Sequence, residues 1–193
     1  AVDAGGVLGV AGKLPNVVGA RDHYTRPHSE HVVPYPLSLG EAAGLSDESL
    51  DTLHVAAMLH DVGKIGVAGD LLRKPGPLDA GEEDMVRRHV DLSAAVINDM
   101  PRLARVVEAV QAHHEHHDGS GYPAEVSGDD IPILGRILAI ADAYSAMTLD
   151  RPYRMGLNPK QARDELLKAA GTQFDPDLVD RFIRILDSQA DEP

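Results

Sequence analysis

The 193-residue sequence contains no cysteine. Disulfides and thiolate metal sites are therefore excluded, so any metal centre must be built from His, Asp and Glu, and the composition suits a cytoplasmic protein. Basic residues are scarce: 18 Lys and Arg stand against 31 Asp and Glu, a formal net charge of -13. Phosphate backbones are held by Lys and Arg, so this balance argues against a general nucleic-acid binder, and an anionic small substrate would need a local positive patch. No apolar run reaches the roughly 18 residues needed to span a membrane. The glycine-rich start, AVDAGGVLGVAGKLP, has neither a basic leader nor a long apolar core, so no signal peptide is expected. Internal repeats, strand-like alternation of useful length and a glycine-rich phosphate loop are also missing.

What is present suits one helical domain. Hydrophobic residues make up 43% of the chain, enough for a sizeable core. Residues 1–20 read as a linker or N-terminal extension and residues 21–188 as the domain. The chain begins at Ala, which suggests a fragment or processed product with a partner domain upstream. Asp22 or Thr25 could cap a first helix near His28, with Pro27 tolerable in its first turn, and Pro34 and Pro36 are expected to break or kink the helix after it. Ser46 caps the next helix, with Asp47 and Glu48 in its first turn. Its Leu50, Leu53, Ala57 and His60 share a face, so His60 and Asp61 arrive on the buried side near Gly63. Asp79 and Glu82 form a capping box, after which Met85, His89, Leu92 and Val96 are expected to share an inward face. Ile131 to Leu149 is apolar nearly all round, as in a buried central helix. Asn158, Pro159, Gln161 and Gly171 bound one scaffold helix. Asp175 and Pro176 open another, with a stripe of Leu178, Phe182, Ile185 and Leu186.

The stretch QAHHEHHDGSGYP, residues 111–123, carries the densest chemistry. Leu103, Val106, Val107 and Val110 recur at helical spacing, and His113 and His114 continue that stripe. A lone histidine on such a face is usually a satisfied core residue. Two adjacent ones at a helix end point to metal, because neutral imidazole is the commonest metal ligand. His116 and His117 fall beyond the stripe and read as solvated loop residues. Asp142, in the middle of the apolar helix, needs a cation or a salt bridge with Arg136 or another Arg, since a lone buried carboxylate is strongly destabilising. His28, His60, Asp61, His89, His113, His114 and Asp142 thus form a nitrogen and oxygen donor set suited to Mn, Fe, Zn or Co. Seven donors exceed one tetrahedral site, and two metals sharing Asp61 is the economical arrangement. Such a pair generates hydroxide at neutral pH and clamps the attacking and leaving oxygens in an in-line displacement on phosphorus.

The order HS at 28, HDVGKIGV at 60, KPGPL at 74, His89, HHE at 113, DGSGYP at 118, RILAIAD at 136 and RPYR at 151 resembles the HD-GYP family of the HD phosphohydrolase superfamily. The resemblance runs over roughly residues 21–182 and is specific, because many separate motifs fall in order. It implies a compact all-α multi-helix bundle without a sheet, and a phosphodiesterase that hydrolyses the bacterial messenger cyclic di-GMP to pGpG and GMP. It implies two divalent transition-metal ions, iron or manganese. His28, His60, Asp61 and Asp142 would hold one, and Asp61, His89, His113 and His114 the other.

Under the same resemblance, Asp61 and Lys64 are the catalytic pair, with Lys64 touching the scissile phosphate or the bridging hydroxide. Tyr122 would meet a guanine, and Arg151 and Arg154 would hold phosphates, a task that suits arginine's planar fork. Glu115, Asp118 and Ser145 would stand behind the ligands. Four positions depart from the family's pattern: Tyr24 replaces the glutamate with which some members bind a third metal, Ser145 replaces a frequent aspartate, and Pro34 and Pro36 replace residues that normally continue a helix. Partners would be an upstream sensor or receiver domain, a diguanylate cyclase (GGDEF) domain and a second copy in a homodimer. Two other readings stand beside this one: an HD phosphohydrolase acting on a nucleotide monophosphate, a deoxynucleoside triphosphate or cyclic GMP-AMP, and a non-catalytic module that binds the messenger or a cyclase.

Overall fold

The computed structural model describes His28 and residues 31–100, 103–150 and 155–190. The expected linker over residues 1–20, the caps Asp22 and Thr25, and Tyr24, Pro27, Arg151 and Arg154 lie outside the described residues. Nine α-helices are described: α1 (Pro34–Ala42), α2 (Asp47–Leu59), α3 (Gly69–Leu72), α4 (Ala80–Arg87), α5 (His89–Asn98), α6 (Ala104–Ala112), α7 (Ile133–Thr148), α8 (Pro159–Ala169) and α9 (Pro176–Ala190). A 3-10 turn, Val62–Gly66, follows α2, and another, Gly128–Asp130, precedes α7. Among the described residues no strand forms; a single bridge pairs Ala170 with Phe174. The all-α expectation is borne out.

Local chemistry sets the helix starts. Ser46 accepts the Ser49 N–H at 3.4 Å, and the Asp79–Glu82 box closes through two bonds of 2.9 Å. Asn158 and Gln161 close a second box, and Asp175 caps α9 by accepting the Asp177 and Leu178 N–H groups. Pro34 and Pro36 lie in the first turn of α1 rather than ending a helix. Proline is tolerated there because the first N–H groups of a helix are unpaired anyway. The expected break is a joint one residue wide at Val33, which parts the His31–Val32 segment from α1 while keeping helical dihedrals (φ -52°, ψ -43°).

Helix α7 is the central element and packs against α1, α2, α6, α8 and α9. Its Ile137, Leu138 and Ile140 are fully buried, alongside Leu39, Leu53, Leu59, Leu166 and Phe182 from its neighbours. Tyr35, Tyr144 and Phe182 meet edge to face, with centroids 4.9–6.1 Å apart, and fasten α1 and α9 to α7.

One expected face is corrected. Met85, Leu92 and Val96 are 49%, 40% and 36% exposed, while His89 is buried. The chain turns at Arg88, so α4 and α5 are separate helices and no single stripe runs through both. The buried face of α5 is His89, Val90, Ser93, Ala94 and Ile97. His89 therefore points inward, but with a different set of companions.

Candidate metal centre

Three candidate ligand histidines are oriented in the same way. The Nδ1–H groups of His60, His89 and His113 donate to the carbonyls of Ala57, Val86 and Val110, three residues back, at 2.9, 2.7 and 2.5 Å. Each bond orients its ring and turns Nε2 to the interior, and for His89 and His113 this is the neutral tautomer whose Nε2 can bind metal. All three Nε2 atoms are buried and without a hydrogen-bond partner. A buried polar atom with no hydrogen bond is costly, and three converging ones, two of them only 3.4 Å from a carboxylate, need a common explanation.

The donors form two trios. Ligand atoms of His28, His60 and Asp142 lie within 4.8 Å of one another, as do those of His89, His113 and His114. Between the trios stands Asp61: one carboxylate oxygen is 3.4 Å from His60 Nε2 and the other 3.4 Å from His89 Nε2. The His60 and His113 rings, 5.2 Å apart, adjoin across the same gap. His28 Nε2 lies 2.7 Å from Asp142 Oδ1. All seven expected ligands are thus brought together, and Asp142 is matched by histidines. Arg136 instead binds Asp129 and Asp175, each at 2.7 Å.

The electrostatics agree with this donor set. Burial pushes the His113 pKa well below its usual value, that of His114 to about 3 and that of His89 downward, so all three are neutral near pH 7. Burial would raise Asp61, but Lys64 first and then His60 outweigh it and hold the carboxyl well below the ordinary range. Asp142 is likewise held well below, burial being outweighed by its contacts with His28 and His60. Burial would depress His60, yet the facing carboxylates of Asp61 and Asp142 lift it to about 10 in the metal-free chain. At 3.4 Å those contacts are ion pairs rather than aligned hydrogen bonds, so a cation can take the place of that proton. Buried imidazoles with free Nε2 atoms around paired carboxylates fit divalent transition metals.

The surrounding elements fix these ligands. Asp61 and Lys64 sit where α2 passes into the 3-10 turn, and Lys64 Nζ donates to Asp61 Oδ2 at 2.6 Å. Ser93, fully buried on α5, donates to the His60 carbonyl and accepts the Gly63 N–H, both at 2.8 Å. Gly63 lies so close to α5 that a Cβ would collide with the His89 carbonyl. At Gly121 a Cβ would collide with the backbone of His114 to His116, so the GYP turn lies directly on the ligand-bearing segment. That turn brings the Tyr122 ring onto His114, stacked at 4.9 Å and 23°.

Behind His28, Ser145 Oγ is 3.1 Å from its Nδ1 and 3.0 Å from His31 Nδ1. Glu115 and Asp118 make their hydrogen bonds within the loop. Glu115 accepts the Ala124 N–H at 2.6 Å, and Asp118 accepts from Ser120, so both hold the loop. His116 and His117 are half-buried rather than solvated: His116 bonds Ser120, and the His117 N–H donates to the Gln173 carbonyl. Sequence reasoning missed Ser93 and His31. A serine at the fourth position after His89, among apolar residues, was the available signal for the first; nothing marked His31.

The HD domain family matches residues 16–178. The 3'3'-cGAMP-specific phosphodiesterase 2 of Vibrio cholerae is 40% identical over 172 residues, covering 88% of this chain and 33% of that protein. A cyclic di-GMP phosphodiesterase of Thermotoga maritima is 35% identical over 170 residues, covering 86% of this chain and 45% of that protein. The chain therefore spans less than half the length of these relatives. Among solved structures, a cyclic GMP-AMP specific phosphodiesterase of V. cholerae superposes with a TM-score of 0.69 at 17% identity, over 93% of this chain and 49% of that one, a likeness of fold.

Proposed function

The chain belongs to the HD domain family, and on that premise we propose that residues 21–188 form a cytoplasmic, metal-dependent phosphodiesterase domain that hydrolyses cyclic di-GMP to pGpG and GMP. One observation carries this reading: three buried imidazoles present unpartnered Nε2 atoms around Asp61, whose two oxygens face two separate donor trios. When bound, a pair of iron or manganese ions supplies hydroxide at neutral pH and polarises the phosphodiester. His28, His60 and Asp142 would hold one ion and His89, His113 and His114 the other, with Asp61 between the two trios. Lys64, bonded to Asp61, offsets charge on the reacting phosphate, and Tyr122 lines the guanine side. Arg151 and Arg154, proposed from their motif alone, hold phosphates. Ser145 supports His28 from behind. No described helix is long and apolar enough to cross a membrane.

A second reading, cleavage of 3'3'-cyclic GMP-AMP, is favoured by the specificity in the name of the 40% identical relative. We further propose an upstream sensor or receiver domain, a diguanylate cyclase partner and a homodimer; the relatives' length beyond the match leaves room for such domains. The test incubates anaerobically prepared Mn- or Fe-loaded protein with cyclic di-GMP and, separately, with 3'3'-cyclic GMP-AMP, and tracks the products chromatographically. Appearance of pGpG and then GMP is expected. Faster loss of the mixed dinucleotide selects the second reading, and two intact substrates with metal bound reject both.

A further inference from the structure

We propose that Arg87 is a substrate-holding residue, gripping the phosphodiester of a cyclic dinucleotide that is not being cleaved. The inference rests on the phosphodiesterase reading above. Arg87 is the last residue of α4, and the turn at Arg88 sets it two positions ahead of the ligand His89. Its guanidinium carbon lies over the Tyr122 ring, 4.8 Å from the centroid. That ring is stacked on His114, whose own ring is 5.2 Å from that of His89. Arg87 therefore belongs to the wall of the second trio, joined to it through one aromatic layer.

The charge that this wall must meet is specific. A cyclic dinucleotide carries two phosphodiesters; while one is being cleaved, the other keeps its negative charge and needs its own cation. Lys64 is engaged with Asp61, Arg151 and Arg154 are given phosphates by their motif alone and lie outside the described residues, and the whole chain carries -13. Arg87 has the right form for the second phosphate. Its guanidinium carbon lies over the tyrosine ring, a position that the ring quadrupole favours, and a guanidinium carries N–H donors in the fork that matches phosphate oxygens. Its ion pair, with Glu83 at 2.8 Å, joins side chains that are 46% and 53% exposed. Exposed helical pairs of this kind are weak, so an incoming phosphate displaces Glu83 at little cost.

The experiment compares wild type, Arg87→Ala, Arg87→Lys and Glu83→Gln as metal-loaded protein. Steady-state kinetics are measured on cyclic di-GMP, 3'3'-cyclic GMP-AMP and bis-p-nitrophenyl phosphate, with metal content by elemental analysis and cyclic di-GMP affinity by titration calorimetry. One lost charge-assisted contact predicts a KM and Kd about tenfold to a hundredfold higher for Arg87→Ala on both cyclic dinucleotides, with metal content and kcat nearly unchanged. The specificity-constant ratio of cyclic di-GMP to bis-p-nitrophenyl phosphate falls by the same factor, Arg87→Lys lies between, and Glu83→Gln binds at least as tightly as wild type. Equal loss on all three substrates, or no loss, overturns the assignment. A loss on one cyclic dinucleotide alone also overturns it, since the residue would then be reading a base. If wild type binds metal but neither binds nor cleaves a cyclic dinucleotide, the phosphodiesterase reading itself fails and Arg87 with it. Wild-type turnover with an unaffected Arg87→Ala removes Arg87 alone.

Discussion

Replacing Ser93 by alanine removes one oxygen and adds no bulk, so its consequences come from the two hydrogen bonds that the hydroxyl makes. Both end on the HD turn: the Gly63 N–H donates to Ser93 Oγ, which donates to the His60 carbonyl, in a place where Ser93 has no exposure. An orphaned buried group costs about 1–3 kcal/mol; with a smaller contribution from the carbonyl, which keeps a second lone pair, the sum is about 2–4 kcal/mol. At roughly 2–4 °C per kcal/mol for a chain of this size, the melting temperature of the metal-free protein should fall by about 4–16 °C. Because His60 and Asp61 lean on the same turn, metal affinity should also drop, by about tenfold to a hundredfold as for other contacts behind a ligand. Thermal unfolding of metal-free protein, then a metal titration of the folded variant, measures the two effects separately. An unchanged melting temperature with unchanged affinity would refute the reasoning. A lower melting temperature with full affinity would confine Ser93 to the fold.

Asp61→Ala should empty both metal positions, whereas His116→Ala, whose ring bonds only Ser120 in the loop, should keep the wild-type metal content; elemental analysis decides, and equal losses would place the bridge elsewhere. Ser145→Asp puts a carboxylate behind His28 and should slow metal release into a chelator by about tenfold, while unchanged release would make the position neutral. In the metal-free chain the folded pKa of His60, lifted to about 10, lies above its unfolded value, so its stabilisation is present below about pH 6.5 and is lost as pH rises toward 10. Melting temperatures of metal-free protein should therefore fall between pH 7 and 10, and a rise across that window would contradict the ion pairing of His60 with Asp61 and Asp142.

The legible parts of the fold were those governed by local rules. Capping residues such as Asp79 with Glu82 and Asn158 with Gln161 act within one turn, and the apolar run of α7 can only be a buried helix. The family resemblance read from the ordered motifs is borne out for the same reason: each motif is a short stretch whose chemistry survives without its neighbours. Depth was harder to read. His89 pointed inward as expected, yet the face assigned to it ran through Met85 and Leu92, because periodicity alone cannot register the turn at Arg88. The partners of Asp142 were open between a cation and an arginine. Only the fold shows that Arg136 is engaged by Asp175 and that His28, far away in sequence, lies at 2.7 Å. Glu115 and Asp118 are placed behind the ligands by resemblance alone, and the hydrogen bonds they make, to Ala124 and Ser120, become visible only in the folded loop.

The two donor trios differ in how far along the chain they reach. Asp61, His89, His113 and His114 come from one contiguous segment, whereas His28 and Asp142 are 114 positions apart. A cation on the first set restrains a segment whose helices already pack on one another. On the second it acts as a clip that closes a loop containing most of the domain, where the entropy removed from the unfolded chain is greatest. The same ion at two neighbouring positions would thus record different events in folding, one the local assembly of a segment and the other the meeting of the chain's distant parts. Closing that longer loop also carries the larger entropic cost that must be met before the distant contacts reward it.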